Sequence, residues 1–311
     1  MTWLLWTGVG VGVVVLAAVA LRAVGARQWA DLMRGHSGQL EAARVDGTGH
    51  AASSTPPPTA PTSPSAVRFD ARELGGLPAP VQRYFRAVLK NGQPIIAAAT
   101  VEMTGTINLS ASAEQWKPFT SHQRVINSVV GSHAVARPGF LWNAQVDMFP
   151  GVPVHVQDSY IAGQGRLIAK LLGLFTVANA HGGGELARGE LMRYFAETAW
   201  YPTALLPSQG VRWVGVDERS AKATLVDGPI NLSLLFRFNE VNLIASVRAE
   251  ARAAGVGKDR VMLPWDCGFS NYQPHSGMLI PMAGEAAWVR PEGRKPYFVG
   301  QVKKLSYGFF P

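Results

Sequence analysis

The chain has 311 residues, a formal net charge of +8, 47% hydrophobic residues and 16% charged residues. This length accommodates one large domain or two ordinary ones, and the hydrophobic fraction is enough for a membrane segment and a large core. The basic residues are scattered, with no run longer than Lys303-Lys304, which excludes the clustered basic stripe of a nucleic-acid-binding protein. They form either a solvated surface or one that attracts anionic lipid headgroups. The single cysteine, Cys267, excludes an internal disulfide.

An uncharged run opens the chain at residues 3–21, with the sequence WLLWTGVGVGVVVLAAVAL. At about 1.5 Å per residue, a helix of this length crosses a bilayer core of about 30 Å. Trp3 and Trp6 are of a residue type that favours the membrane interface. We therefore expect an uncleaved transmembrane anchor over residues 1–24.

A cleavable signal peptide is the alternative interpretation of the same run. The pair Ala18 and Ala20, or the segment Val24-Gly25-Ala26, offers a cleavage site. However, no Lys or Arg precedes the run, and the run is longer than the usual apolar segment of a signal peptide. These two departures favour the anchor.

The segment that follows sets the expected topology. Residues 25–44 predict a juxtamembrane helix, and residues 45–66 form a linker rich in Pro, Ser and Thr, which cannot bury a core. Arg22 and Arg27, which come after the apolar run, favour a cytoplasmic domain, whereas a spacer of this kind is typical of a domain that works away from the membrane. We expect a single-pass cell-membrane protein whose folded domain, residues 67–311, is extracytoplasmic.

Residues 77–89 predict the first helix of the folded domain. Its apolar residues are Val81, Tyr84, Phe85, Val88 and Leu89. Their i, i+3, i+4, i+7, i+8 spacing is that of an amphipathic helix that packs on a core. Proline in the first turn and Asn91-Gly92 after the last turn are the expected start and stop signals.

Most of the remaining domain alternates between apolar and polar residues. Residues 99–109, 140–148 and 154–161 are examples, and residues 166–177 are predicted as a single strand. With turn residues recurring about every 10 to 14 positions, we expect roughly ten to twelve sequential antiparallel strands. The predicted fold is mainly β (α+β): a large curved antiparallel sheet, open or half-barrel, with a few covering helices.

One strong helical pattern interrupts these strands at residues 184–201. Apolar residues occupy one side of the predicted helix: Leu191, Met192, Phe195 and Ala199. Polar residues occupy the other side, and we name this set the polar stripe: Glu190, Arg193, Tyr194 and Glu197. Pro202 ends the helix because it lacks a backbone donor and clashes with the preceding turn. We expect this central helix to lie across the sheet.

The polar stripe is the candidate site with the most chemistry. Arg193 can pair with Glu190 or Glu197 at helical spacing. If the stripe faces a concave sheet, the two carboxylates and the arginine line a cavity in which pKa values can be tuned. If it faces outward, the same residues form a salt-bridged solvent surface.

Large aromatic residues are the second candidate feature. On the inside of a curved sheet, Trp142, Trp200 and Trp213 either line an apolar ligand pocket or form ordinary core. If they line a pocket, we expect Arg193 or Arg212 to bind the polar head of an amphiphilic ligand. The complete set of candidate ligand-binding residues is Trp142, Glu190, Arg193, Tyr194, Glu197, Trp200, Arg212 and Trp213.

No motif points to a metal or a cofactor. The seven histidines are dispersed without metal-ligand spacing, and one cysteine cannot build a zinc site. The segment GVGK at 255–258 lacks the first glycine of a phosphate-binding loop and is followed by Asp259 where a hydroxyl residue is needed. We expect no metal, no cofactor and no nucleic-acid partner.

Five segments of the folded domain resemble a family of uncharacterised bacterial proteins, a domain of unknown function. They are LPAPVQRYF at 77–85, PGFLW at 138–142, RGELMRY at 188–194, WYPTALLP at 200–207 and GVRW at 210–213. The resemblance extends from about residue 77 to residue 307. It implies no catalytic residues.

A weaker resemblance is to the LolA-like lipoprotein-carrier fold. It rests on residues 269–272, on Gly277 and on the segment LIP at 279–281. This resemblance implies a curved half-barrel with helices over its concave side, which binds acyl chains. The anchor and the polar stripe are departures from that pattern.

Three hypotheses for function follow. The leading one is a membrane-anchored, non-enzymatic domain that binds a lipid or other amphiphile between the sheet and its helices. The alternative is a hydrolase or isomerase in which Glu190 and Glu197 act as acid and base with help from Tyr194. The third is a structural or interaction module of the cell envelope.

Overall fold

One antiparallel sheet of 13 strands dominates the part of the chain that the computed structural model describes, residues 2–45, 67–110, 114–127, 137–255 and 261–310. In the first of these ranges, side chains are described for residues 15–43. The strands are β1 Ile96–Asn108, β2 Trp116–Ile126, β3 Gly139–Phe149, β4 Val152–Ile161, β5 Gln164–Leu171, β6 Phe175–Gly182, β7 Arg212–Asp217, β8 Ser220–Asp227, β9 Ile230–Phe238, β10 Ile244–Ala254, β11 Val261–His275, β12 Met278–Arg290 and β13 Gly293–Phe309. The α-helices of the same ranges are α1 Thr2–Val45, α2 Ala79–Val88 and α3 Gly184–Ala196.

The strand order of the sheet is β6-β5-β4-β3-β2-β1-β13-β12-β11-β10-β9-β8-β7. Two series of sequential hairpins, β1 to β6 and β7 to β13, meet where β1 pairs with β13. Strands β6 and β7 are therefore the two edges. This order confirms the predicted mainly β fold with one large, open antiparallel sheet.

The segment predicted as one strand at residues 166–177 is two strands, and this correction raises the strand count above the expected number. Leu172 and Gly173 adopt left-handed backbone conformations, with φ of 56° and 74°, and they turn β5 into β6. A left-handed residue is normally glycine or a small polar residue. Leu172 hid the turn because its apolar side chain continued the strand pattern.

Helices α2 and α3 pack on the face of the sheet that we call the inner face. The helix predicted at 77–89 is confirmed: Val81, Tyr84 and Phe85 of α2 are fully buried in the main core. Helix α3 follows edge strand β6 and contacts β3 to β6 from one end of the sheet and β9 and β10 from the other. A helix is only about 10 Å wide, so the sheet must curve around α3 to bring both ends against it.

The α-helical part of the central helix is shorter than the sequence predicts. It ends at Ala196 and continues as 3-10 turns at Glu197–Trp200 and Pro202–Leu205. The hydroxyl of Thr198 donates to the carbonyl of Phe195 at 2.6 Å, and Pro202 has no backbone donor to continue a helix. Side-chain bonds of this kind compete with the helical pattern.

The two ends of the sheet are also joined by ionic and hydrogen-bonded contacts to the buried carboxylate of Asp227, a group that we call the Asp227 cluster. Arg137, just before β3, donates to both oxygens of Asp227 at 2.8 and 3.0 Å, and Tyr160 on β4 donates its hydroxyl to the same carboxylate. Asp227 ends β8, which lies at the opposite end of the sheet from β4. The cluster holds the two ends of the curved, open sheet together.

Helix α1 packs on the opposite face of the sheet, the outer face. Trp29 donates its indole hydrogen to Oδ1 of Asn143 at 2.9 Å, and Trp29 and Met33 are buried against Ile168 of β5. Leu40, near the end of the helix, is buried in a separate small cluster. Helix α1 is thus docked along its later turns.

Two further contacts fix this position of α1. A Cβ atom on Gly25 would lie 1.9 Å from the carbonyl oxygen of Leu172, so the helix touches the β5–β6 turn backbone to backbone. Near the other end, Glu41 forms an ion pair with Arg124 of β2. The approach at Gly25 is possible only for glycine.

The transmembrane anchor predicted at residues 1–24 and the single-pass localisation inferred from it are wrong. In the part of the chain that the structure describes, no helix has the length and apolar character needed to cross a membrane. The apolar run continues without a break into a charged segment, and Trp29, Met33 and Leu40 of that segment are buried against the sheet. The side chains of residues 2–14 and the linker at 46–66 lie outside the described residues.

Candidate functional site

The polar stripe of α3 faces the sheet and not solvent. Glu190 is 6% exposed and Tyr194 is 2% exposed, and the side chains of Arg193 and Glu197 are 13% and 12% exposed. The cause is the position of α3, because strands from both ends of the sheet cover it. The two carboxylates and the arginine are therefore brought together in a largely water-excluded region.

Arg193 is held by three side-chain acceptors. Its Nη1 lies 2.7 Å from Oδ2 of Asp158 on β4, and its Nε lies 2.8 Å from Oε1 of Glu197. Its Nη2 lies 3.2 Å from Oε1 of Gln123 on β2, which in turn donates to Oε2 of Glu197 at 2.6 Å. Burial lowers the pKa of Arg193, but Glu197 and Asp158 raise it by more in sum. Arg193 is thus a fixed, charged centre.

Aromatic rings complete the surroundings of Arg193. Its guanidinium lies over the ring of Trp142 at 4.6 Å and over the ring of Phe140 at 5.1 Å. Arginine stacked on aromatic faces is stabilised by the negative potential of the rings. Trp142, a predicted site residue, therefore supports the Arg193 ion pairs.

Tyr194 points away from these charges into a separate hydrogen-bonded group. Its hydroxyl donates to Oδ1 of Asn127 at 3.0 Å, and the amide of Asn127 donates to the carbonyl of Ile96 on β1. Burial raises the pKa of Tyr194, so its proton is retained. These contacts tie α3 to the centre of the sheet.

Glu190 differs from the rest of the stripe because one of its oxygens has no partner. Its Oε2 is buried and accepts or donates no hydrogen bond. The pKa of Glu190 is raised to about 8, chiefly by burial. The carboxylate of Asp158 also raises this pKa, whereas Arg252 and Arg193 lower it. Glu190 is therefore mostly protonated at neutral pH and can donate a hydrogen bond.

A cavity of about 130 Å³ lies next to Glu190, between α3 and strands β5, β6 and β10. Its lining residues are Leu167, Ala180, Glu185, Leu186, Gly189, Glu190, Arg252, Ala253 and Gly255. Apolar side chains make up much of this lining, and its polar side chains include the buried Glu190 and the half-buried Arg252. We call this space the Glu190 cavity.

Arg252 is one of the site residues that sequence reasoning missed, together with Asp158 and Gln123. Its Nε is buried and has no partner, and its guanidinium lies over the ring of Trp265 at 4.3 Å and near that of Trp288 at 5.8 Å. A register shift in the β10–β11 pairing between Ala249 and Arg252 changes the alternation and turns Arg252 inward. A bulge of this kind has no simple signature in the sequence.

The other predicted residues lie elsewhere. Trp200 is core: its indole donates to the carbonyl of Pro281 at 3.0 Å, and it packs on Gly284. Trp213 is half-buried and donates to the carbonyl of Leu205 at 3.0 Å. Arg212 is exposed on edge strand β7. The structure thus groups Trp142 with Glu190, Arg193 and Glu197, and it separates this group from the remaining candidates.

Metal-binding residues do not cluster in the described ranges. Within them, no group of three His, Cys, Asp or Glu side chains is placed to hold a metal ion. Cys267 is buried, and burial raises the pKa of its thiol.

Comparison with known proteins identifies the family. Residues 75–307 match the family of unknown function DUF6920. The chain belongs to this family. No curated protein matches the sequence.

Two solved structures show a weaker likeness. A LolA superfamily protein from Nitrosomonas europaea has 9% sequence identity and a TM-score of 0.37, over 75% of this chain and 93% of its own. A beta-barrel-like protein of the domain of unknown function DUF1849 from Brucella abortus has 11% identity and a TM-score of 0.22, over 69% of this chain and 99% of its own. The family resemblance seen in the sequence and the weaker similarity to LolA-like proteins are both confirmed.

Proposed function

We propose that this DUF6920 protein is a binding protein for a small amphiphilic molecule whose polar group enters the Glu190 cavity. One observation carries the proposal: Glu190 and Arg252 line the same cavity, and each has a buried polar atom without a partner, Oε2 of Glu190 and Nε of Arg252. A buried polar group that lacks a partner costs about 1–3 kcal/mol, and native proteins retain few of them. A ligand that bonds to both groups removes this cost.

The surroundings of the cavity suit an apolar part of the same ligand. Leu167, Ala180 and Leu186 line the cavity. Arg252 pairs across the β10–β11 ladder with Leu263, which is half-buried. Paired residues share a face of the sheet, so Leu263 adds apolar surface beside Arg252.

The position of the polar group differs from the expectation drawn from the sequence. Arg193 is already neutralised by Asp158 and Glu197, and Arg212 is exposed on an edge strand. Arg252 retains an unused donor inside the protein. We therefore assign recognition of the polar group to Glu190 and Arg252.

Native mass spectrometry of the full chain purified from a bacterial host tests this proposal. We expect a retained small-molecule mass, or uptake of an added eight-carbon amphiphile after the protein has been stripped. R252Q should lose the bound mass, whereas R212Q, the matched arginine variant on the exposed edge strand, should retain it. A clean mass for the purified protein, with no uptake of any added amphiphile, would overturn the proposal.

A second candidate function rests on the acidity of Glu190. A general acid or base works best when its pKa lies near the working pH, and the pKa of Glu190 is about 8. If the protein is an enzyme, Glu190 would transfer a proton to or from the substrate, and Arg252 would stabilise the negative charge that develops on the substrate. Glu197 would not act as the second acid or base, because it is bound to Arg193. A chemically altered product formed by the native protein and not by E190Q would support this candidate, whereas recovery of the ligand unchanged would favour binding.

A further inference from the structure

We infer that the Glu190 cavity selects a carboxylate, whose oxygens accept one hydrogen bond from Nε of Arg252 and one from the carboxyl group of Glu190. This inference rests on the proposed binding function and names the chemical class of the ligand's polar group. It predicts a monocarboxylate on an apolar chain as the preferred ligand.

Both groups that await a partner are hydrogen-bond donors. Arginine has donors only, and Nε of Arg252 is buried without an acceptor. Glu190 carries its proton at neutral pH because burial raises its pKa. Two donors on residues that line one small cavity suit a group with two acceptor oxygens, and a carboxylate is a small group of this kind.

The charges around the cavity favour a monoanion. Arg193 is paired with Asp158 and Glu197, whereas Arg252 forms no ion pair within the described ranges. An ammonium group would be repelled by Arg252 and could not accept its hydrogen. A phosphate dianion would meet the acidic side chains of Glu185, at the cavity, and of Asp158 beside Glu190. A monoanion meets less of this repulsion than a dianion does, and Arg252 can pair with it.

The size of the cavity agrees with this choice. Its volume of about 130 Å³ corresponds to roughly four water molecules. That is room for a carboxylate and the first carbons of a chain, and the apolar lining of Leu167, Ala180 and Leu186 suits those carbons. Arg252 is held flat by the ring of Trp265, so its donor is oriented before the ligand arrives.

The titratable and charged groups that face Glu190 come from three elements. Asp158 lies on β4, Arg252 lies on β10, and Arg193 and Glu197 lie on α3. Arg193 keeps its charge in alkaline solution because Glu197 and Asp158 raise its pKa, and both of these acids are bound to it. Between pH 6.5 and pH 9.5, the proton on Glu190 is therefore the variable that controls binding.

Isothermal titration calorimetry on the full chain with octanoate, octanol and octylamine tests the inference. We expect octanoate to bind tightest at pH 6.5. Its affinity should fall by about tenfold for each pH unit above 8, as Glu190 loses the proton that it donates. E190Q retains a donor, so it should bind octanoate at pH 6.5 and lose the pH dependence.

Two variants test the contact with Arg252. R252Q should weaken octanoate binding by at least about tenfold, the effect expected for a lost hydrogen bond to a charged group, and R212Q should not change it. Should R252Q fold poorly, G189A is the second variant: its methyl group would lie 3.7 Å from Nε of Arg252, in contact without a clash. It should weaken octanoate binding while the protein stays folded.

The outcomes separate this inference from the function on which it rests. Binding of none of the three compounds overturns the proposed function itself. Tighter binding of octanol or octylamine than of octanoate, abolished by R252Q, keeps the function and overturns the carboxylate. Octanoate binding that R252Q, G189A and high pH leave unchanged places the ligand elsewhere and overturns both.

Discussion

Arg193 of α3 and Asp158 of β4 form an ion pair at 2.7 Å in which the side chains are 13% and 18% exposed. The pair joins the helix to a strand near one end of the sheet, and Glu197 anchors the same guanidinium within the helix. Buried charges of this kind are balanced only while every partner is present. The stability of the domain should therefore depend strongly on Arg193.

Replacing Arg193 by Met should lower the free energy of unfolding by about 3 kcal/mol or more, because it leaves two carboxylates without a counter-charge. Urea denaturation at pH 7 measures this. R212M is the matched control, since Arg212 is exposed, and it should change stability by less than about 0.5 kcal/mol. Equal midpoints for the two variants would show that the Arg193 ion pairs do not contribute to stability.

Glu190 should make the stability of the protein fall as the pH rises. Its pKa is raised from 4.5 in the unfolded chain to about 8 in the folded protein, so the folded state binds more protons between these values. Its contribution is fully present below pH 4.5 and is lost as the pH rises through 8. Relative to E190Q, the native protein should lose on the order of 3 kcal/mol between pH 5 and pH 8. Denaturation curves measured at several pH values test this, and parallel trends for both proteins would contradict it.

Removing the tyrosine hydroxyl of the Asp227 cluster should lower the free energy of unfolding more than removing a tyrosine hydroxyl from a neutral hydrogen bond. Tyr160 donates to the buried carboxylate of Asp227, whereas Tyr272 donates to the backbone carbonyl of Ile244. Y160F should cost about 2 kcal/mol and Y272F about 1 kcal/mol, since bonds to charged groups are the stronger ones. Urea unfolding of both variants provides the comparison. If Y160F lost less unfolding free energy than Y272F, the hydrogen bonds from Arg137 would be enough to satisfy Asp227.

Gly25 should be essential for the docking of α1. An added methyl group would lie 1.9 Å from the carbonyl oxygen of Leu172, so G25A must push the helix away from the β5–β6 turn. Hydrogen exchange should then show α1 residues losing more than about 1 kcal/mol of protection. G35A is the control on the same helix, because its new methyl group meets no atom within 4 Å. It should instead gain about 0.5–1 kcal/mol from helix propensity, and equal protection in both variants would contradict the packed position of α1.

Periodicity predicted the parts of the fold that local sequence determines. The spacing of Tyr84, Phe85 and Val88 gave α2, and strand alternation gave the mainly β sheet. The N-terminal helix was misinterpreted because an uncharged run of suitable length outweighed a second signal. Trp29, Met33, His36 and Leu40 recur at helical spacing and are among the buried residues that the structure describes in α1. That stripe was readable from the sequence.

The site was predictable only in part. Glu190, Arg193 and Glu197 share one face of a helix, so helical spacing was enough to group them. Their partners on the sheet depend on strand register, which a single sequence does not determine. Asp158 and Arg252 could not be assigned for this reason, and the bulge in β10 moved Arg252 to the face opposite to its expected one.

The pairing of β1 with β13 gives biosynthesis a particular difficulty. Residues 96–107 find their partners at 298–309, so β1 leaves the ribosome about two hundred residues before the strand that covers it. Throughout that interval its backbone donors and acceptors form an open edge, the structure from which aggregation begins. A chain that stalls or is cut before β13 would contain two separate ladders, each ending in an uncovered strand. Quality control in the cell should therefore act most strongly on chains that are truncated near the C-terminus and lack β13.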